Sequence, residues 1–130
     1  MLIEHLFSCT ISAMRYCRYT QVAFATLLFL FVTFASAAEL IVVEADNCPY
    51  CKKFNREIAP AYTNTAEGQQ APLRRVWLNE QWPDDLKGLT LAKYTPTFIL
   101  VHDGREVDRL VGYRGDEYFW FLLNKMLEKL

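Results

Sequence analysis

Cys48-Pro49-Tyr50-Cys51 is the stretch whose residue types and spacing carry chemistry. Two thiols three positions apart can ligate a metal, or they can open and close a disulfide. A short apolar run precedes the pair and a helical stretch follows it. A helix start offers unpaired N–H groups and partial positive charge, which favour a thiolate over a thiol. Cys48, at that start, is therefore the expected nucleophile. Cys51, one turn further in, is the expected resolving thiol, which attacks the mixed disulfide and releases the partner. Pro49 stiffens the turn and Tyr50 adds no charge to it, so this dipeptide tunes how strongly the reduced form is favoured. A zinc knuckle needs four ligands. Beyond residue 38 the two cysteines are accompanied by one histidine, His102. No metal and no cofactor is expected. A permanent structural bridge is the other alternative. Such bridges gain entropy with the length of loop they close, and this one closes almost none.

The first 37 residues stand apart. Residues 22–34 form a 13-residue apolar run, Arg15 and Arg18 precede it, and Ala35-Ser36-Ala37 follows. That is the pattern of a secretory signal cut after Ala37. An uncleaved anchor is the competing reading, but a span needs ~20 apolar residues. Residues 1–13 make a long pre-region, and Met14 would begin a more ordinary leader. Removing residues 1–37 also removes Cys9 and Cys17, which leaves the Cys48/Cys51 pair as the only cysteines. Residues 39–130 carry 12 Lys/Arg and 14 Asp/Glu. With no Lys/Arg run to track a phosphate backbone, nucleic-acid binding is not expected.

The remainder, 38–130, has room for one domain. Residues 40–43 are a β-branched apolar run, read as a central strand buried on both faces. Asn47 is placed to cap a helix beginning at Cys48, with Pro49 in its first turn. Pro60 ends or kinks that helix. Residues 61–67 can resume it, with Gly68 as a stop. Residues 73–78 read as a second strand. Residues 82–93 read as a short helix crossing back over the sheet. Residues 97–101 and 105–111 read as a hairpin around Asp103-Gly104, with Val107, Leu110 and Val111 packing inward. The last helix carries an apolar stripe of Phe119, Leu122, Leu123, Met126, Leu127 and Leu130. The neighbouring Phe119-Trp120-Phe121 is either packing or an exposed partner patch. The order is β-α-β-α-β-β-α. It implies an α/β fold in which a mixed four-stranded sheet has helices on both faces, and its first two strands are parallel through a right-handed crossover.

The strand, the Cys48-Pro49-Tyr50-Cys51 helix, the later Thr95-Pro96, the hairpin, Gly112 and the terminal helix resemble the thioredoxin superfamily over nearly all of 39–130. The tetrapeptide alone is that of glutaredoxins. The residues after Pro96 (Asp103-Gly104, Val107, Arg109 and Gly112) follow the thioredoxin hairpin instead. Residues 71–75, Thr95-Pro96-Thr97-Phe98 and the Gly112-Tyr113 to Phe119-Trp120 end resemble the periplasmic SoxS-type thioredoxins of bacterial sulfur-oxidation gene clusters. The resemblance implies a redox-active Cys48–Cys51 disulfide, a cis bond before Pro96 facing it, and a Thr95 backbone that presents itself to a substrate segment. It implies a periplasmic thiol–disulfide oxidoreductase, a disulfide-bearing client such as a sulfur-carrier protein, and a membrane electron donor. Thioredoxins carry a buried Asp six residues before the first cysteine, and Val42 stands there in this chain. Glu44, on the same strand face, is the candidate substitute proton acceptor; the alternative is a solvated acid at the strand end. Two other functions stay open at this stage: a redox-sensing binding module with little turnover, and a disulfide oxidase or isomerase.

Overall fold

The computed structural model describes residues 38–130. The expected leader, its alternative start at Met14, and Cys9 and Cys17 lie outside the described residues.

Strand β1 (Ala38–Glu44) is the centre of the molecule. Its side chains alternate between two cores, as the period of a strand requires. Leu40 and Val42 enter one core, Ile41 and Val43 the other, and all four are fully buried. Strand β2 (Leu73–Trp77) runs parallel to β1, with Val42 opposite Arg75. Strands β3 (Thr97–His102) and β4 (Arg105–Val111) complete a mixed sheet in the order β2-β1-β3-β4, with β1–β3 and β3–β4 antiparallel. Asp103 and Gly104 both adopt positive φ, 53° and 70°. That pairing is the backbone of a tight two-residue hairpin turn whose twist matches its strands.

One face of the sheet is covered by helices. Helix α1 (Pro49–Glu57) contributes Phe54, and Ile58 follows at its end. Helix α4 (Asp116–Leu127) contributes Phe119, Leu123, Met126 and Leu127. Phe54, Phe98, Phe119 and Tyr113 pack edge-on or tilted, with Phe54 and Phe98 centroids 4.8 Å apart. Leu122 is half-buried, and Leu130 lies beyond the helix end with much of its surface exposed. Trp120 stacks on Tyr62 and Phe121 points outward.

Between α1 and β2 the chain turns twice. Pro60 has no N–H to donate and its ring would collide with the carbonyl four residues back, so α1 stops at Glu57. The chain restarts as the one-turn α2 (Ala59–Tyr62), with Pro60 in the first turn, where its missing donor costs little. Helix α3 (Ala66–Gln70) follows, capped by the Thr65 hydroxyl, which accepts from the Gly68 N–H at 3.0 Å. Gly68 lies inside this helix, so it is not the stop expected from its type. Its role is close approach: a Cβ there would sit 1.9 Å from the Tyr62 carbonyl oxygen.

The other face differs from expectation. Ile41, Val43, Val76, Ile99 and Val101 are covered by Trp82, Leu86, Leu89 and Ala92. These come from a segment whose only helix is a single 3-10 turn, Asp84–Leu86. The apolar residues recur every third or fourth position, which suits a helix, but Pro83, Gly88 and Thr90 are poor helix formers. Side chains fasten the segment instead. The Trp82 indole donates to the Trp77 carbonyl at 3.2 Å. The Arg74 guanidinium forks onto Asp85 at 2.6 and 3.1 Å. Val107 and Leu110 pack on the helical-side core, whereas Val111, expected inside, is 51% exposed at the end of β4.

Candidate active site

Three chain segments end together at one edge of the sheet. Val43, near the C-terminal end of β1, pairs with Thr97 at the start of β3, and Thr97 pairs with Val111 at the end of β4. The cysteine loop that leaves β1, the Thr95–Pro96 bond that enters β3, and Gly112 just past β4 therefore share this edge. Gly112 donates its N–H to the Pro96 carbonyl at 2.7 Å, and its φ of 85° is one that a side chain would strain. The Thr95–Pro96 peptide is cis. Pro96 is buried and Thr95 half-buried. Among the described residues no hydrogen bond uses the Thr95 backbone N–H or carbonyl.

The cysteine loop folds back on β1 through the Cys48 N–H, which donates to the Ala45 carbonyl at 3.3 Å. The helix cap is Cys48 and not Asn47, which is exposed. The cause is Pro49: a proline disfavours helical geometry in the residue before it, and Cys48 is extended, with φ −93° and ψ 104°. Its sulfur takes the capping position and accepts the Cys51 N–H at 3.0 Å. The two sulfurs are bonded, with Cα atoms 5.2 Å apart. Both residues are nearly enclosed, Cys48 6% exposed and Cys51 3%. Tyr50 projects outward beside them, 60% exposed, and Pro49 is also exposed.

Glu44 ends β1 on the helical side and is buried, not solvated. Asn55 lies on α1 four residues after Cys51, so it faces the same side of that helix. Its amide donates to Glu44 Oε1 at 2.6 Å. Arg75 forms an ion pair with Glu44 Oε2, and its Nη1 also donates to Asn55 Oδ1 at 2.7 Å. The three side chains form a closed triangle beneath α1. Among the described residues no hydrogen bond joins Glu44 to either cysteine. Sequence reasoning missed Asn55 and Arg75. The available signal was Arg75 itself, one of two arginines in strand β2, which lies opposite Val42 and so on the face of Glu44, whereas Arg74 points to the other face.

Tyr113, next to Gly112, is buried and donates to Glu57 Oε2 at 2.7 Å. Burial first, and then this carboxylate, push its phenol above the ordinary range. It keeps its proton and ties the β4–α4 loop to α1. Lys53 lies over its ring at 5.9 Å. Among the described residues no three or more His, Cys, Asp or Glu converge as metal ligands.

Residues 36–127 match the profile of the thioredoxin-like domain. No curated protein sequence matches the chain. Among solved structures, the periplasmic thioredoxin SoxS from Paracoccus pantotrophus in its reduced form is 35% identical. That match covers 71% of this chain and 97% of that one, with a TM-score of 0.68. Thioredoxins from Malassezia sympodialis and Thermus thermophilus share the fold at 21% and 19% identity. They cover 73% and 70% of this chain and 81% and 74% of theirs, with TM-scores of 0.54 and 0.52. The chain belongs to the thioredoxin-like family. With a Cys48–Cys51 disulfide at the start of α1, it is a thiol–disulfide oxidoreductase.

Proposed function

We propose that this oxidoreductase works in the periplasm as a reductant, keeping a cysteine of a sulfur-oxidation protein free of disulfides and other adducts. The observation that carries the reading is the 35% identity to a periplasmic thioredoxin over nearly the whole of that protein. The secretory pattern of residues 1–37 agrees with it.

In the reduced chain, Cys48 is the thiolate, held by the Cys51 N–H and the start of α1. It attacks one sulfur of the client disulfide; the other leaves as a thiolate, and a mixed disulfide forms. Cys51 then loses its proton and attacks Cys48 Sγ. The client sulfur leaves with the electron pair, and the Cys48–Cys51 bond forms. Two electrons have passed to the client. Glu44 is the proposed acceptor of the Cys51 proton. The unpaired Thr95 backbone takes the client segment as an added strand, Pro96 forms the wall beside the sulfurs, and Pro49 and Tyr50 set the potential. An oxidising compartment does not regenerate a dithiol. A membrane donor must therefore return two electrons.

A Cys51→Ser variant in the periplasm tests the reading, because it cannot resolve the mixed disulfide. Cys48-linked adducts with a sulfur-carrier protein and other clients are expected. Binding to one partner that survives loss of both thiols would instead indicate a sensing module. The reduction potential decides direction. A value near the reducing end of the roughly −270 to −120 mV range of this fold supports a reductase; one near the oxidising end indicates an oxidase or isomerase.

A further inference from the structure

Residues 87–96 run from the 3-10 turn to the cis bond with no helix or strand of their own. They display Leu91 and Tyr94, 66% and 70% exposed, immediately before Thr95, and bury Ala92 between them. The ends of the segment are fastened. The Leu89 N–H donates to the Leu86 carbonyl at 3.0 Å, the Thr97 hydroxyl to the Tyr94 carbonyl at 2.7 Å, and the Gly112 N–H to the Pro96 carbonyl. Across residues 90–93, the hydrogen bond that ties the backbone to the sheet comes from a side chain. Arg109 Nη2 donates to the Thr90 carbonyl at 2.9 Å.

Arg109 is held for this task. Its Nε and Nη2 donate to the two oxygens of Glu106, at 2.5 and 2.6 Å. Residues three apart on a regular strand point to opposite faces and cannot pair in this way. In β4 the register shifts: Leu100 pairs with Asp108 but Val101 with Glu106, so Val107 is an extra, bulged residue. The bulge brings Glu106, opposite Val101, and Arg109, opposite Ile99, onto one face. That is the face covered by residues 78–96. Bulges re-aim side chains in this manner. The carboxylate fixes the planar guanidinium, and the second Nη2 hydrogen is left for the carbonyl.

We propose that Arg109 is a positioning residue for substrate. Through the bulge-built pair with Glu106 it holds Thr90, and so fixes the stretch that delivers Leu91, Tyr94 and the Thr95 backbone to the client. The inference rests on thiol–disulfide exchange at Cys48 and requires no particular client. Insulin serves as a protein disulfide and 5,5′-dithiobis(2-nitrobenzoic acid) as a small one. Arg109→Met should raise KM for insulin on the order of tenfold, the effect of losing one charge-assisted hydrogen bond. Its kcat, its rate with the small disulfide and its reduction potential should stay at wild-type values. Glu106→Gln should show the same split more weakly, and Arg109→Lys should recover part of the loss. A purely structural role would lower the melting temperature and leave KM alone, which would overturn the proposal. Amide hydrogen exchange gives a readout independent of turnover. In oxidised Arg109→Met, residues 88–96 should exchange faster while residues 38–44 do not. Unchanged exchange there would overturn it. A wild-type chain unable to reduce insulin would count against the reductase reading, and the exchange result would still decide Arg109.

Discussion

Cys48 caps α1 and is also the proposed attacking sulfur. In most helices an oxygen of Ser, Thr, Asp or Asn accepts the first free amides. Here a sulfur does, at 3.0 Å from the Cys51 nitrogen. The Cys51 amide that this sulfur caps is thus already placed to stabilise a thiolate when the bridge opens. The pairing of Cys48 with Cys51 was legible in the spacing of the tetrapeptide. The capping position of Cys48 was not: the polar Asn47 was the expected cap, and Pro49, which keeps the residue before it out of helical geometry, moves the cap to Cys48. Glu44 was legible only as an acid near the pair, because its partners depend on a strand register that no local pattern encodes. Glu44→Gln keeps the shape and the bond to Asn55 but removes the base. Attack by Cys48 should proceed at its normal rate, whereas resolution of the mixed disulfide should slow near neutral pH. Stopped-flow measurement of both steps across pH checks this, and an unaltered pH–rate profile for resolution would exclude Glu44 as the acceptor.

At the scale of elements, the strongly patterned parts were readable. Strand β1 showed as a β-branched run, the β3–β4 hairpin as Asp-Gly between apolar strands, and α4 as its stripe. Residues 78–96 were not, because apolar residues every third or fourth position fit a helix as well as a loop laid on a sheet. The bulge at Val107 was hidden as well, since one extra residue leaves no mark in composition. Gly68 was misread for a related reason: glycine marks both helix ends and close contacts, and only the position of Tyr62 distinguishes them. Gly68→Ala tests the contact. The Tyr62 carbonyl is backbone and cannot swing aside, so the oxidised protein should lose about 1–3 kcal/mol, typical of overpacking. For a domain of this size each kcal/mol corresponds to roughly 4–8 °C in melting temperature. A calorimetric Tm equal to wild type would show that the helix shifts freely.

For the whole molecule, charge pairs tie peripheral pieces to the sheet. Lys129, past the end of α4, donates to Asp108 on β4 at 2.6 Å. That hydrogen bond is the main reason the Asp108 carboxyl is held below its ordinary value of 3.8. Arg74 does the same for Asp85 on the covering segment, again chiefly by hydrogen bonding. A carboxyl whose folded value is lowered binds protons more readily in the unfolded chain. It therefore stabilises the fold above the ordinary value, and the benefit is lost as pH falls through the lowered one. Thermal melts from about pH 6 to pH 2 should show this decline. Lys129→Met should flatten it by returning Asp108 toward its ordinary value; an acid limb as steep as wild type would contradict the assignment.

The sheet keeps the two halves of the site on different supports. The sulfurs ride on α1, over the core of Phe54, Phe98 and Phe119. The residues leading into Pro96 ride on the core of Trp82, Leu86 and Leu89. The two cores share no residue. On the proposed role of Arg109, substitutions on the second side change how a client is held and leave the cysteine pair on its own support. On that proposal, descendants of such a chain can trade one client for another by redrawing a single loop, and inherit the cysteine pair unchanged.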